Sequence, residues 1–405
     1  MSLSRLEELP SEDLWIVCLH PAGGAKASLY QLWRGLRRQG IDVGLMTDLS
    51  GFEVPASDHL VDLEALRGVP VEALVESLRA STFDALYLYN VYTLPYFRPL
   101  IEETNTFFHF ECWRGELIEL ISLLHAALES GRVAVSETPD TPGPLSSHVV
   151  DSSTLPDLAE TAYLQSYVDA LTHVDIIASL VPEDVPLVEQ IAALAGWQGN
   201  RIEHVPPLID TSLFPPQKRP PAGTKRLLVN GQKTHAGNAS RNLSVTTTLL
   251  DGDPREWDLF VTGTTDDESL VESTSRELLA NGESVEEFHR LPRVPYERVP
   301  ELYRNANLYA LLSTENEGFS VSTLEAMASG CVPVLSPFVV RRMDEGIRPG
   351  ENCVVVGSKE SFRPCVERLV ADPSRLRRMQ EAAVDTIEQR YAISRRDRYP
   401  FFRDL

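Results

Sequence analysis

The chain has 405 residues, of which 43% are hydrophobic, and it carries a formal net charge of −22. A chain of this length commonly divides into two domains, and its hydrophobic content is enough for two cores. No stretch approaches about 18 consecutive apolar residues, which excludes a membrane-spanning helix. The first fifteen residues include acidic residues and a proline but no apolar run, so we expect no signal peptide and a cytoplasmic location.

The cysteines and the charges narrow the class of protein further. Five cysteines are dispersed without C-x-x-C spacing, which favours free thiols over disulfides or a zinc site. Residues 1–205 carry 11 basic against 30 acidic side chains, a balance of −19, whereas the remainder carries 26 against 29, a balance of −3. The first half should therefore repel nucleic acid and anionic lipid, while the second could hold an anionic ligand. General surface acidity, for solubility or salt adaptation, is the alternative explanation.

The first half of the chain alternates between predicted strands and helices. Buried strands are predicted at residues 13–20 and 41–48, on either side of a glycine turn and a helix that ends at Gly40. This β-α-β order favours a parallel sheet covered by helices on both faces. Further elements follow in the order strand, strand, helix, strand, at residues 83–90, 105–110, 115–131 and 131–137, and a last strand is predicted within residues 170–180.

A connection rich in proline separates the two halves. Residues 204–225 contain six prolines and one glycine, and the strand-helix alternation restarts after them and ends in an amphipathic helix over residues 374–394. We therefore predict an N-terminal domain over residues 1–205 and a C-terminal domain over residues 206–385. Residues 386–405 should form a tail that packs back towards the first domain. Both domains should be doubly wound α/β folds facing across a cleft, with ligands outside the carboxyl ends of the strands.

The stretch TENEGFSVSTLEAMASG, residues 314–330, carries two glutamates eight positions apart. It lies between a predicted strand and a short helix that ends at Gly330. The unpaired N–H groups and the positive dipole end of such a helix attract phosphate, and Gly318 allows close approach of the backbone. Glu317 and Glu325 could bind sugar hydroxyls on either side of that phosphate. Alternatively, Ser322 and Glu325 form a capping box, in which the glutamate only closes the helix start.

The surrounding motifs resemble those of a known family. The pattern E-G-F-small-x-x-x-L-E-A-M-A-x-G-x-P-V resembles the signature of the retaining glycosyltransferases of family 4 (glycosyl transferases group 1), which have the GT-B fold. RIEHVPPLIDTSLFPP resembles the element between the two domains of that family, and LHPAGGAKASLYQLWRGLRRQG resembles its first strand, glycine loop and helix. The resemblance covers most of the chain and is most specific after residue 200.

The resemblance implies roles for individual residues. Glu325 would bind the ribose hydroxyls of a nucleoside-diphosphate sugar, and Glu317 would bind hydroxyls of the donor sugar. Gly23 and Gly24 match the glycine loop that faces the phosphates, although a plain strand-to-helix turn has the same sequence. His109 matches a histidine that faces the donor sugar, although a lone histidine at a strand end is more often structural. His109 and Glu317 are the candidate catalytic residues. The diphosphate would lie against the backbone at Gly318, Phe319, Ser320 and Val321.

One departure from the family pattern affects the phosphate site. Gln232 occupies the position where the family usually has arginine, and Lys233 stands beside it. Arg241 stands where the family has lysine. Both cations can bind a diphosphate, so we expect Lys233 and Arg241 to hold it, unless Lys233 is a solvated loop residue. The base pocket is predicted near Leu291 and Arg293.

The reaction implied by the resemblance is transfer of a sugar from a UDP- or GDP-linked donor to an acceptor hydroxyl with retention, without cofactor or metal. The partners expected are this nucleotide-sugar donor and a carbohydrate or small-molecule acceptor, with no nucleic acid and no stable membrane association. Two alternatives remain open. One is a nucleotide-sugar epimerase or hydrolase with the same GT-B fold, and the other is a non-catalytic sugar-nucleotide-binding protein.

Overall fold

The computed structural model describes residues 9–21, 23–50, 52, 57, 59–110, 114–135, 159–199, 201–216, 225–230, 258–262, 288–290, 295–313 and 319–403. The chain forms two compact units. Unit 1 comprises Met1–Leu208 and Arg396–Leu405, and unit 2 comprises Ile209–Arg395. The division thus follows Leu208, and the last ten residues belong to unit 1.

Unit 1 is built on a parallel sheet of seven described strands. In chain order these are β1 (Glu12–Cys18), β2 (Val43–Thr47), β3 (Leu60–Asp62), β4 (Phe83–Tyr89), β5 (Asn105–Phe110), β6 (Ile176–Ser179) and β7 (Arg201–His204). Their order in the sheet is β3-β2-β1-β4-β5-β6-β7. The direction of winding therefore reverses between β1 and β4, as in doubly wound folds.

Six described α-helices accompany these strands before the chain passes to unit 2. They are α1 (Gly23–Arg38), α2 (Val71–Ala80), α3 (Arg98–Ile101), α4 (Arg114–Glu129), α5 (Thr161–Thr172) and α6 (Val185–Leu194). The middle strands are continuous buried runs because helices cover both faces of a parallel sheet. Side chains such as Trp15, Leu86 and Phe108 form one core with the helices on their face of the sheet.

Unit 2 has a parallel sheet of six described strands. These are β8 (Arg226–Asn230), β9 (Asp258–Thr262), β10 (Phe288–Arg290), β11 (Leu308–Leu311), β12 (Val332–Leu335) and β13 (Val354–Val355), in the sheet order β10-β9-β8-β11-β12-β13. The described helices are α7 (Val299–Arg304), α8 (Val321–Ala328), α9 (Pro337–Arg342), α10 (Lys359–Val370) and α11 (Pro373–Thr386). The winding reverses between β8 and β11, so α8 follows the strand at this point. The prediction of two doubly wound parallel sheets is confirmed.

The predicted strand at residues 131–137 is wrong over its described part. Residues 131–135 form a turn and an irregular segment after α4. Gly131 has φ +67° and ends the helix, with its N–H bonded to Leu128 and that of Arg132 bonded to Ala127. The side chain of Gln165 on α5 then binds both the N–H and the C=O of Ala134, at 2.9 and 3.0 Å. These peptide groups are therefore not free for a neighbouring strand.

The helix predicted over residues 374–394 ends earlier. It is α11 as far as Thr386, followed by a π-helical turn at Ile387–Tyr391. The carbonyl of Tyr391 accepts a hydrogen bond from the N–H of Ile209 at 2.7 Å, and Ile209 pairs with Ala392. The helical segment therefore ends at Tyr391, whose carbonyl binds the segment that opens unit 2.

The described end of the chain packs on the sheet of unit 1. A short helix, α12 (Pro400–Arg403), places Phe401 4.5 Å from Phe107 and Phe402 5.9 Å from Tyr87, measured between ring centroids.

Of the described helices, none combines the length and the apolar character that a membrane crossing requires.

Candidate functional site

Helix α8 carries the second glutamate of the two-glutamate stretch. Its N-cap is Ser320, whose Oγ accepts a hydrogen bond from the N–H of Thr323 at 3.2 Å. The helix ends at Gly330, which has φ +86°. There the N–H of Gly330 bonds to Met327 and that of Cys331 bonds to Ala326, which is the closed helix end that glycine favours.

The capping-box interpretation of Ser322 and Glu325 is wrong. The cap is two residues earlier than predicted, at Ser320, so Glu325 lies in the second helical turn. The Oγ of Ser322 instead accepts a hydrogen bond from the hydroxyl of Tyr309 on β11, at 2.7 Å. Glu325 is therefore not required to close the helix start.

The carboxylate of Glu325 is enclosed and held by two tyrosines. The residue is 3% exposed. The hydroxyl of Tyr296 donates to Oε1, and that of Tyr303 on α7 donates to Oε2 at 3.1 Å. Burial raises the pKa of Glu325 to about 7, while the two tyrosine hydrogen bonds oppose that rise. The carboxyl thus titrates near neutral pH.

A turn from the connecting segment packs behind these tyrosines. Phe214 is completely buried, and its ring centroid lies 6.2 Å from that of Tyr296 and 6.1 Å from that of Tyr303. The Oδ1 of Asp210 accepts from the N–H of Ser212 at 3.0 Å and so fixes the turn that delivers Phe214. The phenylalanine of the connecting motif thus packs inside unit 2 against the two tyrosines that bind Glu325.

The sequence-based reasoning did not select Tyr296 and Tyr303. They are seven residues apart in VPYERVPELYRN, a spacing that places two residues on one face of a helical segment. A 3₁₀ turn at Tyr296–Arg298 leads directly into α7, which gives this arrangement. The spacing was visible in the sequence, but the partner of the two hydroxyls was not.

The other residues at the start of α8 are also buried. Phe319 is 4% exposed, and its ring meets that of Tyr391 in a T-shaped contact with centroids 6.1 Å apart. The hydroxyl of Tyr391 donates to Asp344. The π-helical turn thereby packs against the residue that leads into α8. Val321, the first helical residue, is 8% exposed.

Six of the predicted site residues lie outside the described residues. They are Lys233, Arg241, Leu291, Arg293, Glu317 and Gly318. Their roles stay predictions from the sequence.

In unit 1, the predicted glycine turn is part of a helix. Gly23 and Gly24 are the first two residues of α1 and not a loop before it. They still lie where the chain enters a helix after the carboxyl end of β1. Their N–H groups belong to the helix N-terminus, which is the position where an anion would be bound.

Two hydrogen bonds of Asn90 tie the carboxyl ends of the central strands together, and a third fixes the loop after β4. Asn90 follows β4 and has φ +80°, in the left-handed region that asparagine tolerates better than most residues. Its Nδ2 donates to the carbonyl of His20 after β1, at 3.1 Å, and its Oδ1 accepts from the N–H of Tyr92 at 2.9 Å. Its own N–H donates to the carbonyl of His109 at 3.1 Å. The sequence-based reasoning did not identify Asn90 in this position.

His109 is a buried, neutral histidine. It lies near the end of β5 in register with Tyr89, and it is 2% exposed. Its Nδ1 is hydrogen-bonded to the hydroxyl of Tyr87 at 2.6 Å, and the ring of Tyr89 meets it edge-on with centroids 5.0 Å apart. Burial, with a smaller contribution from His204, lowers the pKa of His109 to about 3. At neutral pH this imidazole can donate one hydrogen bond and accept another, but it carries no charge.

Among the described residues, no group of three or more His, Cys, Asp or Glu side chains is arranged to hold a metal ion.

The comparisons with known proteins agree with these motifs. Residues 214–386 match the model of the family described as glycosyl transferases group 1. This range includes Phe214, both tyrosines and Glu325. No curated protein matches the chain.

Several solved structures match over nearly the whole chain. The sucrose-phosphate synthase of Thermosynechococcus elongatus has a TM-score of 0.62 at 14% identity, covering 98% of this chain and 99% of its own. Anabaena HepE in complex with UDP-glucose has a TM-score of 0.60 at 12% identity, covering 98% and 100%. A glycosyltransferase of Rickettsia africae has a TM-score of 0.61 at 9% identity, covering 96% and 97%. At these identities the likeness shows the fold, which is that of the GT-B glycosyltransferases.

Proposed function

We propose that the protein is a retaining glycosyltransferase of family 4, which moves a sugar from a nucleoside-diphosphate sugar to an acceptor hydroxyl. The group 1 match over residues 214–386 and the GT-B fold support a transferase. HepE, which shares the fold, is described in complex with UDP-glucose, and this supports a nucleotide-sugar donor for the present chain.

The buried carboxylate of Glu325 is the observation that carries the proposal. A carboxylate enclosed on a helix, and not needed for the helix cap, is costly to bury unless it has hydrogen-bond donors. The hydroxyls of Tyr296 and Tyr303 supply one donor to each oxygen, and a carboxylate oxygen can accept more than one hydrogen bond. Vicinal ribose hydroxyls are donors of the kind that a carboxylate accepts.

The remaining donor contacts follow the family pattern. In this proposal the amides of Phe319, Ser320 and Val321 bind the diphosphate, because helix N-terminal N–H groups lack partners within the helix. Lys233 and Arg241 add charge-assisted bonds, and Glu317 binds hydroxyls of the donor sugar.

The proposed chemistry needs no metal and no protein nucleophile. Helix-end amides and cations stabilise the negative charge on the departing diphosphate. The acceptor attacks from the same face that the diphosphate leaves, and the leaving phosphate takes the acceptor's proton, which gives retention. His109 would take part through hydrogen bonds to the sugar, because its neutral ring cannot supply a positive charge.

A thermal-shift panel of UDP, GDP, ADP and TDP sugars tests the proposal first. We expect one base to stabilise the wild-type protein, and Glu325→Gln to weaken binding of that donor by about 1–3 kcal/mol. The protein is not a glycosyltransferase of this kind if none of these donors shifts the melting temperature.

Product analysis with the selected donor then separates the alternatives. A transferase forms a product only when an acceptor is present, keeps the donor's anomeric configuration and remains active in EDTA. Turnover of donor alone would indicate an epimerase or hydrolase. Tight binding without turnover across a broad acceptor panel would indicate a binding protein.

A further inference from the structure

Both oxygens of the Glu325 carboxylate are bonded to hydroxyls from outside helix α8. Tyr296 belongs to the 3₁₀ turn before α7, and Tyr303 belongs to α7. Both residues are buried, at 8% and 4% exposure. The position of the carboxylate therefore depends on the placement of a second segment of the chain.

That second segment is fixed at several points. Phe214 packs against both tyrosine rings from the turn held by Asp210. The thiol of Cys331, just beyond the end of α8, donates to the carbonyl of Tyr303 at 3.0 Å. Tyr303 is thus tied to α8 through both its side chain and its backbone.

The two hydroxyls favour the ionised carboxylate. Burial alone favours the protonated form, and hydrogen bonds from Tyr296 and Tyr303 lower the pKa of Glu325 against that effect. The pKa of Tyr303 is itself raised by burial, so its hydroxyl keeps its proton and remains a donor.

Other titratable groups on the elements around α8 have different partners. The hydroxyl of Tyr309 on β11 donates to Ser322, the thiol of Cys331 to backbone carbonyls, and the hydroxyl of Tyr391 to Asp344. The charged residues of α11 are exposed: Arg375, Arg377, Arg378, Glu381 and Asp385.

We propose that Tyr296 and Tyr303 are positioning residues, which keep the Glu325 carboxylate charged and oriented so that it recognises the ribose hydroxyls of the nucleotide. This inference rests on the function proposed above and names the residues that give its site a preference for ribose. A carboxylate oxygen can accept from a tyrosine and from a ribose hydroxyl at once.

The experiment measures ribose preference as a function of pH on the full-length protein. Dissociation constants for UDP and 2′-deoxy-UDP, and for GDP and 2′-deoxy-GDP, are determined by calorimetry at pH 6.5, 7.5 and 8.5. The variants are Tyr303→Phe and Tyr296→Phe. The matched control is Tyr163→Phe, which removes another buried hydroxyl bond, from Tyr163 to the carbonyl of Val91 at 3.1 Å, in unit 1.

We expect the wild type to bind the better ribonucleotide at least about tenfold more tightly than its deoxy form at pH 7.5. In Tyr303→Phe this ratio should fall towards one at pH 7.5 and recover at pH 8.5, because loss of a donor moves ionisation of Glu325 to higher pH. Tyr296→Phe should behave in the same way, and Tyr163→Phe should match the wild type. Recovery at high pH separates this role from a simple loss of packing.

Two results would overturn the inference while leaving the proposed function intact. One is an unchanged ratio and pH midpoint in both tyrosine variants. The other is a ratio that is lost at every pH, which would mean that the tyrosines only support the fold. If the panel selects ADP, the same ratio is measured with ADP and 2′-deoxy-ADP. If the wild type binds no nucleotide sugar of the panel, the proposed function fails, and the inference fails with it.

Discussion

Among the residues that the structure describes, each unit encloses one titratable residue of the predicted site, and burial shifts the pKa values of the two in opposite directions. In unit 1, burial lowers the pKa of His109 to about 3. In unit 2, it raises the pKa of Glu325 to about 7. Both changes favour the uncharged form, as expected when a charge leaves water.

The two residues differ in how far their pKa values lie from neutral pH. Both residues bond to tyrosine hydroxyls, at 2.6 Å from Tyr87 to His109 and at 3.1 Å from Tyr303 to Glu325. The histidine stays neutral throughout the physiological range, so its contribution there is constant. The glutamate changes its charge within that range, so pH should control the ligand-binding capacity of unit 2 and not that of unit 1.

The largest expected effect is acid destabilisation through His109. Its pKa is lowered from 6.5 to about 3, so the unfolded chain binds a proton that the folded chain does not between these pH values. Stability from this group is present above pH 6.5 and is lost as the pH falls, by about 5 kcal/mol over the whole window and about 2 kcal/mol by pH 5. Chemical denaturation of wild type and His109→Gln at pH 7 and pH 5 measures this difference.

In that experiment His109→Gln should lose less stability than the wild type between pH 7 and pH 5. The exposed His125 on α4 provides the matched control, and His125→Gln should follow the wild type. If His109→Gln shows the same acid loss as the wild type, His109 is not the buried neutral group that the geometry describes.

Glu325 should produce the next largest effect, with the opposite dependence on pH. Its folded pKa is raised from 4.5 to about 7, so the folded chain binds the extra proton in this window. Stability from this group is present below pH 4.5 and is lost as the pH rises through 7, by about 3 kcal/mol. Glu325→Gln should remove that loss in denaturation curves measured from pH 5 to pH 8.

The exposed Glu381 on α11 is the control for this prediction, since Glu381→Gln should retain the wild-type slope. If the unfolding free energy of Glu325→Gln depends on pH as steeply as that of the wild type, ionisation of the Glu325 carboxyl does not destabilise the fold. Ribose hydroxyls bind more strongly to the ionised carboxylate of Glu325, which is the form that burial disfavours.

A bound nucleoside diphosphate should therefore offset part of the loss of stability at high pH and reduce the pH dependence of wild-type stability.

A smaller effect tests where α8 begins. The Oγ of Ser320 caps the helix through the N–H of Thr323. Ser320→Ala should lower stability by about 1 kcal/mol, whereas Ser320→Gly should cost only a few tenths, because glycine is tolerated at the N-cap. Equal losses in the two variants, measured by thermal unfolding, would place the cap elsewhere.

The sequence predicted the fold well because its signals are local. Buried apolar runs in the central strands and helix-ending glycines such as Gly40 and Gly330 required no knowledge of distant contacts. The strand predicted at residues 131–137 failed because a side chain 31 residues away, Gln165, binds the peptide groups of Ala134. A local pattern carries no information about such a contact.

The same limit explains which parts of the site were predicted. Glu325 was selected from a motif, but its cap role was misjudged because Tyr309 binds the hydroxyl of Ser322. Tyr296 and Tyr303 were missed because their function depends on a carboxylate that is 29 and 22 residues away in the chain. The burial that shifts the pKa of Glu325 is likewise a property of the folded unit.

The smallest expected effect concerns the charges of the two halves. Residues 1–205 carry a balance of −19, against −3 for the remainder. An anionic membrane surface attracts basic segments and repels acidic ones within about a Debye length, roughly 8 Å at physiological salt. We therefore expect the protein not to sediment with anionic vesicles at physiological salt, and to behave the same with neutral vesicles. Strong sedimentation with anionic vesicles alone would show a local basic surface that outweighs this difference. It would also favour a membrane-bound acceptor and contradict the expectation of no stable membrane association.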